Sequence, residues 1–172
     1  MRTTLSGGAE RTTMSDGTIN VLFVCKDNSI RSIIAQALLN RFSGNRFRAF
    51  SCGLQPAAKI HPRTVEMLTT HGLPVENLKI RGVSDFSAAP APEMDFVINL
   101  CDEPLPRLPG SPFVAHWGIT DPLSELGNAA REALAFRRTF RELETRIRLF
   151  SLLRHQSREE RLAHKEPRAE AA

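Results

Sequence analysis

The sequence predicts an α/β fold: a three-layer sandwich with a four-stranded parallel sheet and helices on both faces. Three observations carry that expectation. Short apolar runs alternate along the chain with segments of helical periodicity. The runs are apolar almost throughout rather than at every second residue, as strands covered on both faces should be. No internal repeat and no Pro/Gly/Ser-rich linker divides the chain, so the alternating units belong to one sheet.

Ile19-Asn20-Val21-Leu22-Phe23-Val24 reads as the first strand. Ile30, Ile33, Ile34, Ala37, Leu38 and Phe42 then follow close to i, i+3, i+4, i+7 spacing, a helix with one buried stripe. Arg48 to Cys52 is a second strand closed by Gly53. Pro62 suits a first helical residue, Val65 and Leu68 share a face, and Gly72 ends that helix. Asp95 to Leu100 makes a third strand and Phe113-Val114-Ala115 a fourth. A last helix starts near Asn128, with Phe136, Phe140, Leu143, Ile147 and Phe150 as its inward stripe. In such sheets the site lies at the C-terminal ends of the strands. Cys25, Cys52 and Cys101 each fall at a strand end, which places all three on one edge.

Residues 1–18, rich in Gly, Ser and Thr, read as a disordered leader and 155–172 as a polar tail, leaving 19–154 as the catalytic domain. The leader has no apolar centre, so it is not a secretory signal, and no segment approaches the length of a membrane span. The cytoplasm is the default compartment, with no membrane partner. A formal charge of +4 spread along the chain suits an anionic substrate better than nucleic acid, which would want a concentrated basic stripe with aromatics. The arginines between Arg131 and Arg148 alternate with glutamates, as on the polar face of an amphipathic helix. Three cysteines without CxxC spacing argue against a structural zinc site or any other metal site. Reactive thiols are what remains.

The first strand runs into Cys25-Lys26-Asp27-Asn28-Ser29-Ile30-Arg31-Ser32, a C-x5-R loop that opens the first helix. So tight a turn can aim successive backbone N–H groups at one anion, and the helix N-terminus adds its positive end. Arg31 can grip two oxygens of a tetrahedral oxyanion as a fork. The same field favours a thiolate, so Cys25 is expected to titrate well below an ordinary cysteine. A bland reading exists: a buried strand-end cysteine beside an arginine paired with a surface carboxylate. The strand before the loop, the helix after it, and Asn28 and Ser32 within it favour the functional one.

VLFVCKDNSIRSIIAQALLN resembles the opening of the low-molecular-weight protein tyrosine phosphatases and of the arsenate reductases that share their fold. The resemblance continues through Ser51-Cys52-Gly53, His61-Pro62, VINLCDE at Val97–Glu103 and HWGITDP at His116–Pro122, covering roughly Asn20 to Phe150. HWGITDP, with a cysteine closing the strand before it, is similar to the reductase branch. Tyrosine phosphatases usually carry an aromatic pair after Asp-Pro, where this chain has Leu123 and Ser124 and no tyrosine at all.

The resemblance implies that Cys25 is the nucleophile, Arg31 the oxyanion clamp, Asn28 a brace for the loop and Ser32 a donor to the thiolate. Lys26, Asp27, Ser29 and Ile30 complete the oxyanion-binding loop. Asp121 would protonate the departing oxygen, against the alternative of a simple turn residue before Pro122. His116 and Trp117 are expected to pack the loop. Cys101 resembles the resolving cysteine that a reductase needs and a phosphatase does not; its rival role is a buried free thiol. The substrate would be arsenate or a phosphate-like oxyanion. No bound cofactor is implied, only an external thiol reductant.

The chain departs from the pattern at three places. Thioredoxin-coupled members carry a third cysteine seven residues after the resolving one, and here that position is Leu108. Glutathione with glutaredoxin is therefore favoured over thioredoxin, and Cys52 is read as a core residue. Asp27 stands where the family has a loop glycine, which puts a carboxylate among anion-binding groups. Some reductases hold a monovalent cation through positions matched by Asn28, Ser51 and Asp85, but the helix glutamate of that set is Gln36 here. A phosphatase using Cys25, Arg31 and Asp121 alone, or a weakened oxyanion-binding regulatory module, are the alternatives.

Overall fold

The computed structural model describes residues 18–124 and 127–152. The expected leader, apart from Thr18, and the expected tail lie outside the described residues. The elements are β1 (Ile19–Cys25), α1 (Arg31–Phe42), β2 (Phe47–Gly53), α2 (Pro62–Thr70), a 3-10 turn (Val83–Phe86), β3 (Phe96–Asn99), β4 (Phe113–His116) and α3 (Ala129–Leu152). The four strands form a sheet in the order β2-β1-β3-β4, with every pairing parallel. The chain leaves β1 toward β2 on one side and returns to β3 on the other. This makes the gap beyond the C-terminal ends of β1 and β3 the topological switch point where α/β sheets hold ligands.

The pleat sorts the side chains into two cores. Val21, Phe23 and Cys25 of β1 join Ile98 of β3, Ile33, Ile34 and Leu38 of α1, Leu68 of α2 and Phe136, Phe140, Leu143 and Ile147 of α3. Leu22, Val24, Cys52, Phe86, Met94 and Val97 form a smaller cluster on the opposite face. Helices thus lie on both faces, unequally: three α-helices on one, the 3-10 turn with its flanking loops on the other. Among the described residues no helix is long and apolar enough to cross a membrane.

Two readings of detail change. α1 does not bury a single stripe: Arg31 to Leu39 are all buried, because the sheet covers one side and α3 packs across the other. Cys52 sits one residue before the end of β2, in register with Val24, so the pleat turns it away from Cys25 and into the smaller core. The stripe of α3 is as expected, while Glu142–Arg146 and Glu144–Arg148 pair along its outer face at i, i+4 spacing. α2 starts at Pro62, with His61 Nδ1 accepting from the Arg63 N–H.

Candidate active site

The loop from Cys25 to Arg31 is tied down through its carbonyls. Those of Cys25, Lys26, Asp27 and Ser29 accept from the N–H groups of Leu54, Gln55, Ala57 and His61 at 2.7 to 3.2 Å. With its carbonyls held by the β2–α2 connection, the loop keeps N–H groups for its interior: the Asn28 N–H donates to Cys25 Sγ at 3.3 Å. Gly53 makes this close approach possible, since a Cβ there would stand 2.9 Å from Asn28 N and Asp27 C. The glycine's role was invisible beyond its place at a strand end. So was that of His61, whose backbone N–H holds the loop at Ser29.

Asn28 is the one loop residue in the left-handed region, at φ 54°. Its buried side chain donates to Ser32 Oγ at 2.8 Å and accepts the Arg81 N–H at 2.7 Å, bracing the loop from both ends. Asp27, at the family's glycine position, is not among the positive-φ residues, so the aspartate causes no backbone strain there. Its carboxylate turns into the loop: Oδ1 accepts the Ser29 N–H at 3.1 Å and faces the Cys25 thiol at 3.7 Å, and Oδ2 accepts the Ser29 hydroxyl at 2.8 Å.

Cys25 is fully buried, with Ser32 Oγ 3.0 Å from its sulfur. The expectation of a depressed thiol is reversed here. Burial pushes the Cys25 thiol above its ordinary value, outweighing the hydrogen bonds of Ser32 and the charge of Arg31, and the Asp27 carboxylate adds to the upward push.

Arg31 lies 5% exposed at the start of α1. Its Nη1 donates to the Ile119 carbonyl at 3.0 Å, and its Nη2 meets Asp121 Oδ2 at 2.9 Å. Asp121 is fixed in turn by the Leu123 N–H on Oδ1. A cleft of about 570 Å³ opens above, lined by Lys26, Arg31, Cys101, Glu103, Asp121 and their neighbours. Cys101 lies two residues past the end of β3, and β3 is the register neighbour of β1, so Cys25 and Cys101 stand at adjacent strand ends. The Cys101 thiol donates to Asn99 Oδ1 at 3.2 Å, and burial, reinforced by Glu103, pushes it up to about 12.

His116 does more than pack: its Nε2 donates to the Cys101 carbonyl at 2.9 Å, joining the end of β4 to the thiol's loop. Trp117 packs, against Phe23 and Phe150. Of the positions matched to a cation site, Asn28 Oδ1 accepts the Arg81 N–H at 2.7 Å. Ser51 donates to Gln36 Oε1 at 2.6 Å, while Asp85 accepts from the Gly82 N–H.

Residues 20–165 match the family model described as low molecular weight phosphotyrosine protein phosphatase. The chain belongs to that family. An arsenate reductase of Bacillus subtilis is 25% identical over 134 residues, which cover 76% of this chain and 94% of that protein. A glutaredoxin arsenate reductase of Synechocystis is 31% identical over 81 residues, 47% of this chain and 59% of that protein. A solved thioredoxin-dependent arsenate reductase of Corynebacterium glutamicum superposes with a TM-score of 0.59 at 25% identity, covering 79% of this chain and 61% of that one. This chain thus spans less than two thirds of the last two.

Within this low-molecular-weight phosphatase family member, Leu108 packs against the smaller core. An apolar contact occupies the place where the relay thiol of the thioredoxin-coupled pattern would stand.

Proposed function

We propose that the chain is an arsenate reductase. One observation carries the reading: Cys25, in a C-x5-R loop, and Cys101 stand on adjacent strand ends, with Cys101 lining the same cleft as Arg31 and Asp121. Arsenate enters the loop, where the N–H groups and Arg31 hold its oxygens. The Cys25 thiolate attacks arsenic and an oxygen leaves as water, protonated by Asp121. The Cys101 thiolate then attacks Cys25 Sγ. The electron pair of the S–As bond goes to arsenic, arsenite departs and a Cys25–Cys101 disulfide remains. Two external thiols return the protein to its reduced form and become a disulfide themselves.

The relatives include one named for glutaredoxin and one for thioredoxin, so a thiol donor is the common partner. Leu108 in the relay place favours glutathione with glutaredoxin, because the disulfide stays at the cleft, where a small thiol reaches it by exchange. Such a donor system suits a reducing, cytoplasmic setting. A phosphatase reading has a specific observation in its favour as well: Cys25, Arg31 and Asp121 suffice to hydrolyse a phosphate ester, and the family model is that of a phosphatase.

The two readings separate in one assay. The purified protein is given arsenate and NADPH with glutathione, glutathione reductase and glutaredoxin, or with thioredoxin and its reductase, and separately p-nitrophenyl phosphate. Arsenate-dependent oxidation of NADPH through the coupled system, faster with glutaredoxin, supports the proposal. Ester hydrolysis with no arsenate-dependent oxidation under either donor overturns it in favour of the phosphatase.

A further inference from the structure

We propose that the Asp27 carboxylate is a built-in competitor of the substrate: it occupies donors of the Cys25–Arg31 loop, and an oxyanion must displace it to reach Cys25. The inference rests on the reading of this loop as the oxyanion site. Three observations support it. Oδ1 takes the Ser29 N–H, a backbone donor of the loop, at 3.1 Å while facing the Cys25 sulfur at 3.7 Å. Oδ2 takes the Ser29 hydroxyl at 2.8 Å. Cys25 has no exposed surface, while Lys26 and Arg31 of the same loop line the cleft.

The arrangement treats the two halves of the oxyanion site alike. Asp121 holds the free arm of Arg31, and Asp27 holds a loop N–H, so an internal carboxylate stands against each. An incoming oxyanion competes with both. The Asp121 contact belongs to the proposed acid, but Asp27 has no part in bond making. Its charge weakens anion binding and disfavours the Cys25 thiolate, in keeping with the upward push on that thiol. The consequence is a resting thiol kept neutral and covered, with affinity given up in exchange for protection from adventitious oxidants and alkylating agents. Besides Asp27, the charged group acting on Cys25 is Arg31 of α1, while Cys25 in turn acts on the Cys52 thiol of β2.

A plain structural role for Asp27 is the turn it closes on Ser29, and asparagine closes the same turn with its own side-chain oxygen. Asp27→Asn therefore removes the charge and keeps the brace, whereas Asp27→Gly removes both. Two readouts are taken on the full chain: calorimetric titration with inorganic phosphate, and the pH profile of iodoacetamide alkylation at Cys25, located by peptide mass mapping. The expected result is roughly tenfold tighter phosphate binding in Asp27→Asn, the scale of one nearby charge at an effective protein dielectric. The alkylation midpoint should also move to lower pH, with Asp27→Gly moving both readouts in the same direction. Unchanged or weaker phosphate binding together with an unmoved midpoint in Asp27→Asn overturns the proposal, and marks Asp27 as a turn residue only. Should the glycine variant fail to fold, the asparagine variant decides alone. Neither readout involves arsenic turnover, so a failure of the reductase reading leaves this test intact.

Discussion

Arg31 and Asp121, 90 positions apart in sequence, meet at 2.9 Å in the wall of the cleft, the arginine side chain 6% exposed and the aspartate side chain 30%. The arginine's other terminal nitrogen, Nη1, is anchored on the Ile119 carbonyl, so Nη2 is the arm that Asp121 holds. Under the proposed reading, an oxyanion competes with Asp121 for Arg31, and the displaced carboxylate serves as the acid.

Asp121→Asn should therefore keep substrate binding within a few-fold and lower kcat for phosphate-ester hydrolysis by roughly 10²- to 10³-fold, the usual scale for a lost general acid. The loss should be greater with phenyl phosphate than with p-nitrophenyl phosphate, whose leaving group needs less protonation. Equal losses on the two esters would remove Asp121 from the acid role.

Gly53→Ala tests the packing beneath the loop. The added methyl would stand 2.9 Å from Asn28 N and Asp27 C, both backbone atoms that cannot swing aside. Overpacking of this kind costs about 1–3 kcal/mol. A lower urea midpoint and weaker phosphate binding are expected together, because the same backbone carries both. A variant as stable and as tight as the wild type would show that the loop has slack there.

The fully buried Cys52 thiol is pushed from its ordinary 9.0 to about 12, chiefly by desolvation. Between those values the unfolded chain releases the proton and the folded chain retains it, so stability falls as pH rises through that window. One such group contributes a slope of up to about 1.4 kcal/mol per pH unit. Cys52→Ala should flatten the decline of melting temperature between pH 9 and 11 while leaving arsenate turnover near the wild-type rate. A large loss of turnover would make Cys52 a working thiol rather than a core residue.

The sheet was legible because its strands are short, mostly apolar runs and most connections carry Gly or Pro. Cys25, Arg31 and Asp121 were singled out by C-x5-R spacing and by Asp-Pro, and the structure brings Arg31 and Asp121 into contact. Side-chain direction was not. Whether Asp27 faces solvent or its own loop depends on Ser29, and whether Cys25 is pushed up or down depends on how fully β1 and α1 bury it. The Arg31–Asp121 and His116–Cys101 contacts cross 90 and 15 residues respectively, beyond the reach of local pattern. The one-stripe reading of α1 missed because periodicity reports a preference for one face and says nothing of a second helix covering the other.

A single-turnover experiment asks whether Cys25 and Cys101 together deliver two electrons to arsenic. Fully reduced protein is mixed with arsenate in the absence of any external thiol, then quenched with alkylating agent. Arsenic speciation and peptide mass mapping are run on the same sample. The account predicts up to one equivalent of arsenite per chain, a matching amount of Cys25–Cys101 disulfide and an alkylated Cys52, with none of the arsenite formed by Cys101→Ser. Three alkylated cysteines and no arsenite from a protein that still hydrolyses p-nitrophenyl phosphate would contradict it.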